Sequence, residues 1–169
     1  TNQLENLKEP FRLRPGFVIA PGTYTWNEAV VKWDSFRRRH LQLDASYTRG
    51  GFYDGSRDAL SVAFNWRMTT PFGLSTNYSV NWVDLPQGSF TTHLVSSRIQ
   101  LALRNNLALL TLLQYNSDSK QMATNLRFNW IPTPGSDFFI VYNETDSTLG
   151  AWTPRNRALT VKLNYLIAL

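Results

Sequence analysis

Two histidines, a few scattered carboxylates and a set of widely spaced basic residues are the groups of this chain with chemistry to offer. His40 and His93 are its two imidazoles, and a hydrolytic site would need one of them as a base within hydrogen-bond reach of a nucleophile or a water. His40 and Asp44 share the polar face of one predicted strand, but four residues of extended chain separate them by about 13 Å, too far for a dyad. His93 is in phase with Val95, which places it on the apolar face near an outer rim. Two isolated imidazoles make neither a triad nor a metal site. No catalytic residue, metal or cofactor is therefore expected, and a hydrolase built into a barrel wall remains the secondary reading.

The carboxylates Asp54, Asp58, Asp84, Asp118, Glu144 and Asp146 all fall in predicted outer connections. Calcium sites take oxygen ligands at ordered spacings, and these residues show none. Asp-Gly and Asn-Ser pairs are first of all turn chemistry. With the neighbouring aromatics, Phe52, Tyr53, Asp54, Asp84 and Asp118 are the outer-loop candidates for binding a surface ligand such as a polysaccharide.

Arg67, Arg98, Arg127 and Lys162 fall on the polar face of their strands, as does Asp44. Around an aqueous lumen these five are the candidate ligand-binding residues, and their net positive charge would favour anionic solutes. In a barrel of about ten strands the interior is usually filled by side chains. The favoured expectation is thus that the cations pair with Asp44, Glu28 or each other's neighbours and plug the space. Arg37, Arg38 and Arg39 form the densest basic run of a chain with net charge +5 and pI near 9.7. Aromatic residues do not interleave with this run, so it reads as a contact for anionic lipid headgroups or a periplasmic or outer-membrane protein partner rather than for nucleic acid.

What positions these groups is an alternation of period two. Leu60, Val62, Phe64, Trp66 and Met68 interleave with Ser61, Ala63, Asn65 and Arg67, and strand side chains point alternately to opposite faces. The pattern recurs in Leu41, Leu43, Ala45 and Tyr47 against Gln42, Asp44 and Ser46, and in Leu159, Val161, Leu163 and Tyr165 against Thr160, Lys162 and Asn164. With 6 Trp, 7 Tyr and 10 Phe the chain is aromatic-rich, yet its mean hydropathy is only -0.29. No apolar run reaches the roughly 18 residues that a transmembrane helix needs, whereas a membrane-spanning strand needs about 9 to 11, half of them polar. The absence of Cys removes disulfides and thiolate chemistry.

Punctuation by Gly, Pro, Asn and Asp predicts strands over 24–33, 40–49, 59–68, 72–83, 91–103, 107–115, 122–131, 137–143 and 158–167, with 11–20 as a tenth weakened by Pro15 and Gly16. Residues 1–10 read as a periplasmic lead-in or linker, and 11–169 as the strands of a single domain. Connections alternate between short (70–71, 104–106, 132–136) and longer, polar ones (50–57, 84–89, 116–120, 144–155). Outer-membrane barrels place short turns in the periplasm and long loops outside, which would put the C-terminus in the periplasm. Trp66, Trp82, Tyr115, Trp130, Tyr142 and Tyr165 fall toward strand ends, where interfacial girdles lie. A soluble lipocalin-like barrel would give the same alternation with the faces exchanged. The polar face, however, is rich in Asn, Gln, Ser and Arg rather than the Lys and Glu of solvated surfaces.

The expectation is an antiparallel up-and-down transmembrane β-barrel of the Gram-negative outer membrane, with nine or ten strands in this chain. It would act as a membrane anchor or porin-like pore component for surface binding or solute passage. Four blocks add a resemblance: Gly50-Gly51-Phe52-Tyr53-Asp54-Gly55, the run 84–92 from Asp84 to Thr92, Gln114-Tyr115-Asn116-Ser117-Asp118-Ser119, and the run 134–144 from Pro134 to Glu144. In this order they resemble the C-terminal barrel of large outer-membrane proteins that carry an N-terminal carbohydrate-binding module of the family-9 type. The resemblance runs from about Phe11 to Leu169 and implies a location and a fold more than a chemistry. It also implies a fragment or shortened relative, since that module and the earlier strands are absent, and any carbohydrate connection comes from it alone. The ending Tyr165-Leu166-Ile167-Ala168-Leu169 departs from the aromatic last residue usual in that group.

Overall fold

Polar and apolar side chains alternate along nearly every segment, so each strand offers two unlike faces and the ladder that joins them keeps those faces apart. In the computed structural model, described for residues 1–35, 40–67, 71–150 and 153–166, ten strands form one antiparallel sheet. They are β1 (Asn2–Leu7), β4 (Gly22–Asp34), β5 (Leu41–Phe52), β6 (Gly55–Arg67), β7 (Phe72–Leu85), β8 (Gly88–Arg104), β9 (Leu107–Asn116), β10 (Gln121–Trp130), β11 (Asp137–Ser147) and β12 (Thr153–Asn164). A separate two-stranded hairpin, β2 (Phe11–Arg14) and β3 (Phe17–Ile19), lies between β1 and β4. From β4 to β12 every strand pairs with its sequence neighbours in an up-and-down meander. The all-β, antiparallel expectation holds.

The sheet is open. Among the described residues no ladder joins β1 to β12, so these two are edges rather than partners in a closed barrel. β12 is exposed along its whole length.

Several expectations need correction. Residues 1–10 are no mere lead-in, because Asn2–Leu7 pairs with β4 from Asn2 opposite Asn27 to Leu7 opposite Gly22. Residues 11–20 do not form a wall strand. Pro15 and Gly16 break the segment, and Gly16 at φ 86° turns the chain back on itself. The predicted asymmetry of the connections also disappears. Of the segment 50–57 only residues 53–54 lie outside the strands, and of 84–89 only 86–87.

The reason lies in the close packing that glycine permits. A Cβ on Gly50 would stand 2.3 Å from the Asn27 carbonyl oxygen, and one on Gly55 would stand 2.0 Å from that of Asp84. Glycines that read as loop punctuation are instead what lets neighbouring backbones close up to the hairpin tip. Tyr142, expected near a strand end, falls mid-strand because β11 continues to Ser147. The predicted ends at Met68 and Ile167 lie outside the described residues.

Large apolar side chains stay exposed on much of the outer face, whereas Leu60, Phe64 and Ile99 of the central strands are half-buried there and Val80 is buried. On one face Val31, Trp33, Leu41, Leu43, Tyr47, Trp82, Trp130, Leu159, Val161 and Leu163 are all exposed. On the other, Gln42, Asp44, Ser46 and Thr48 are half-buried along β5. Among the described residues the buried apolar side chains are Ile19, Val80, Val83 and Leu85, and all but Val80 belong to one cluster where the hairpin meets the sheet.

Candidate functional site

Register places the polar residues on a common concave face. Asp44 stands opposite Ala63, Ser46 opposite Ser61, Ser61 opposite Ser79, Asn77 opposite Ser96, and Ser96 opposite Gln114. These residues, with Lys32, Asp34 and Gln121, line a groove of about 710 Å³. Asp44 accepts a 2.8 Å hydrogen bond from Gln42 Nε2, while its other oxygen is buried without a partner among the described residues. Asp34 sits opposite Asp44 in the β4–β5 ladder, with Lys32 two residues away on the same face.

The four predicted luminal cations share this face toward its lower end, where β5, β7, β9 and β11 begin. Arg67 ends β6, Arg98 lies opposite Ser75 and Leu112, Arg127 opposite Leu110 and Val141, and Lys162 opposite Phe139. All four residues are exposed. The expectation that they plug the interior by pairing with Asp44 or Glu28 is not met. Among the described residues none joins an ion pair, and Arg127 stacks its guanidinium 4.9 Å from the Phe139 ring centre. An open sheet leaves these long side chains room to stay solvated. Leu110, Leu112 and Val141 also face the groove, an apolar strip that the alternation of 107–115 does not separate from the outer face.

The upper end is different in kind. Here the β2–β3 hairpin folds onto the concave face and buries Ile19 against Val83 and Leu85, with Leu7, Leu13, Phe17, Phe52 and Phe90 around them. Tyr53 anchors the cap. It sits at φ 52°, a left-handed conformation unusual for an aromatic residue, and its ring centre lies 5.2 Å from those of Tyr24 and Trp26 and 6.5 Å from that of Phe11. Its hydroxyl donates a 2.8 Å hydrogen bond to Glu5 on β1. Burial first, and then the neighbouring Glu5 carboxylate, push the Tyr53 phenol up to about 12.

Two arginines in this cap are absent from the sequence-derived candidates. Arg57 donates a 2.7 Å hydrogen bond to Glu28 and stacks 5.0 Å from the Phe52 ring centre. Arg14, from the hairpin, lies 4.6 Å from the Phe90 centre and 3.5 Å from Asp118. Arg57 escapes notice because residue 57 falls in a segment that reads as loop. The signal was its parity with Ala59 and Ser61, on the polar face.

Of the outer-loop candidates, Phe52 and Asp118 come together at the cap, lining a second, smaller cavity, and the Tyr53 ring centre lies 4.8 Å from that of Phe52. Asp54 is an exposed turn residue, and Asp84 is exposed near the tip of β7. Asp58 accepts a hydrogen bond from Tyr47 on the outer face, and Glu144 pairs with Arg157. No group of three or more potential metal ligands forms among the described residues. His93 lies on the outer face, 2.9 Å from the Tyr78 hydroxyl, and His40 Nδ1 is 3.1 Å from the Arg67 carbonyl oxygen. Each has a local partner, the Tyr78 hydroxyl for His93 and the Arg67 carbonyl for His40. Arg37, Arg38 and Arg39 lie outside the described residues. No family model matches the chain, and no curated protein matches it.

Proposed function

We propose that this chain is the wall of an outer-membrane β-barrel, acting as a membrane anchor or pore component that presents a polar groove to passing or surface-bound solutes. One observation carries the reading: large apolar side chains of the outer face, Val31, Trp33, Leu43, Trp82, Trp130 and Leu163 among them, stand exposed, while Asp34, Asp44, Ser46, Asn77 and Gln114 line the cavity on the other face. In water such a sheet would leave its leucines, valines and tryptophans unburied, at about 25 cal/mol lost per Å² of apolar area. In a bilayer, hydrocarbon supplies the missing contact. Strands β4 to β12 are 10 to 17 residues long, enough for a tilted crossing of a hydrocarbon core about 30 Å thick.

The same observation disfavours a soluble lipocalin-like barrel, whose apolar face would point inward. The unpaired edges β1 and β12 fit a sheet that closes with further strands, as a hydrocarbon core tolerates no open edge. Capture of a polysaccharide at the capped end is the surface-binding form of this proposal, supported by the aromatic residues there.

Refolding into detergent and running the chain with and without heating tests the reading. A heat-modifiable band is expected, with insertion into liposomes. Planar-bilayer recordings then separate the two roles, conductance marking a pore component and silent insertion an anchor. A chain that remains folded, soluble and monomeric without detergent would overturn the proposal.

A further inference from the structure

Between the hairpin and the concave face lies a second, open-mouthed cavity of about 200 Å³, room for a small organic molecule. Its walls are of two kinds. Leu13, Val83, Phe52 and Phe90 supply apolar surface, while Arg14, Arg57 and Asp118 supply charge.

The guanidiniums are only partly used. Arg57 spends one terminal nitrogen on Glu28, and its Nε–H is buried with no acceptor among the described residues. A buried donor left without an acceptor is costly. Arg14 is tied to Asp118 by a single contact at 3.5 Å, longer than a good charge-assisted hydrogen bond. Each guanidinium is also held in orientation by the ring it stacks on, Phe52 for Arg57 and Phe90 for Arg14. A planar, oriented fork with free donors suits a carboxylate, which can accept two parallel N–H bonds.

We infer that this cavity is a binding site for a small organic monocarboxylate. The carboxylate accepts hydrogen bonds from the free donors of Arg57 and Arg14, and the apolar body rests between Phe52 and Phe90. Asp118 and Glu28 balance the two guanidiniums in charge, so the ligand's carboxylate is held through the donors that these two ion pairs leave free. Glu28 stands behind Arg57 and fixes it without lining the cavity. Asp118 is the ligand's competitor for Arg14. The site lies at the mouth of the groove, so a solute entering from the capped end meets it first.

Benzoate is a suitable probe, with benzamide as its neutral isostere, each titrated by calorimetry into the full chain refolded in detergent. Benzoate is expected to bind at least about tenfold more tightly than benzamide, a factor that corresponds to about 1.4 kcal/mol. Arg57→Gln should abolish that preference. Asp118→Asn should tighten benzoate several-fold by freeing Arg14. Arg104→Gln, at the exposed lower end of β8, should change nothing. Absence of benzoate binding, equal affinity for the two probes, weaker binding by Asp118→Asn, or an effect of Arg104→Gln equal to that of Arg57→Gln would each overturn the assignment.

Discussion

The capped end and the bare wall of the same sheet obey different physical rules. At the cap, the hairpin buries Ile19 completely, with Val83 at 6% and Leu85 at 5% exposure beneath a ring of aromatics. Along the wall, order comes from the antiparallel ladders, and large apolar residues such as Val31 and Leu163 remain 68% and 66% exposed. The cap is thus a small water-type core, stable by burying its own side chains. The wall has no such core among the described residues, and under the proposed function hydrocarbon supplies the contact on its outer face. A single sequence builds both by changing which residues the concave face carries, polar along most of the groove and apolar where Phe52, Val83 and Phe90 line it.

The comparison can be broken at either end. Ile19→Ala removes the central side chain of the cap and should lower stability by about 2–5 kcal/mol, as large-to-small changes in packed cores do. Denaturant titration in detergent, followed through Tyr and Trp fluorescence, should show this loss with the wall strands still forming. On the wall, Val62→Arg should cost about 2–4 kcal/mol if its outward position lies near the bilayer midplane, whereas Ser61→Arg on the concave face should be nearly neutral. Equal costs for that pair would erase the distinction between faces. Gly50→Ala, whose new Cβ would meet the β4 backbone at Asn27 and Glu28, should cost about 1–3 kcal/mol through strain between two packed strands.

The smallest effect is a pH dependence confined to the cap. Tyr53 is held at about 12 in the folded chain, above the ordinary phenol value near 10. A raised pKa contributes stability that is complete below pH about 10 and is lost as pH rises toward about 12. Thermal melts across that window should show the loss, and Tyr53→Phe should remove this component of it. The wall, which has no part in the Tyr53–Glu5 hydrogen bond, should not share it.

Much of the wall was legible in the sequence because period-two alternation reports directly on which face a residue takes. Leu41 to Tyr47 and Leu159 to Leu163 fall on the faces their alternation assigns. The strand tips were not legible, since Gly50, Gly51 and Gly55 carry the same signal whether they end a strand or allow it to pack closely. β1 was hidden because Asn2–Leu7 carries a single leucine on each face, Leu4 and Leu7, too few to show an alternation, and owes its strand to pairing with β4. Pro15 and Gly16 were visible as a break, yet only the three-dimensional contact of Phe17 and Ile19 with Val83 and Leu85 makes a cap of the hairpin they divide. For the candidate site, the sequence put Phe52 and Asp118 at one end of the strands, and the structure brings both to the wall of one cavity. It could not supply Arg14 and Arg57, because their meeting depends on the hairpin folding back over the groove.

The central claim is that the outer face meets hydrocarbon and the concave face meets water. The chain has no cysteine, so single cysteines can be introduced and spin-labelled at Leu43, Val62 and Val161 on the outer face and at Ser61, Asn77 and Gln114 on the concave face. Paramagnetic accessibility in liposomes should show the first three exposed to oxygen dissolved in the bilayer and the last three exposed to a water-soluble nickel reagent. The same accessibility on both faces, or the reverse pattern, would contradict the account.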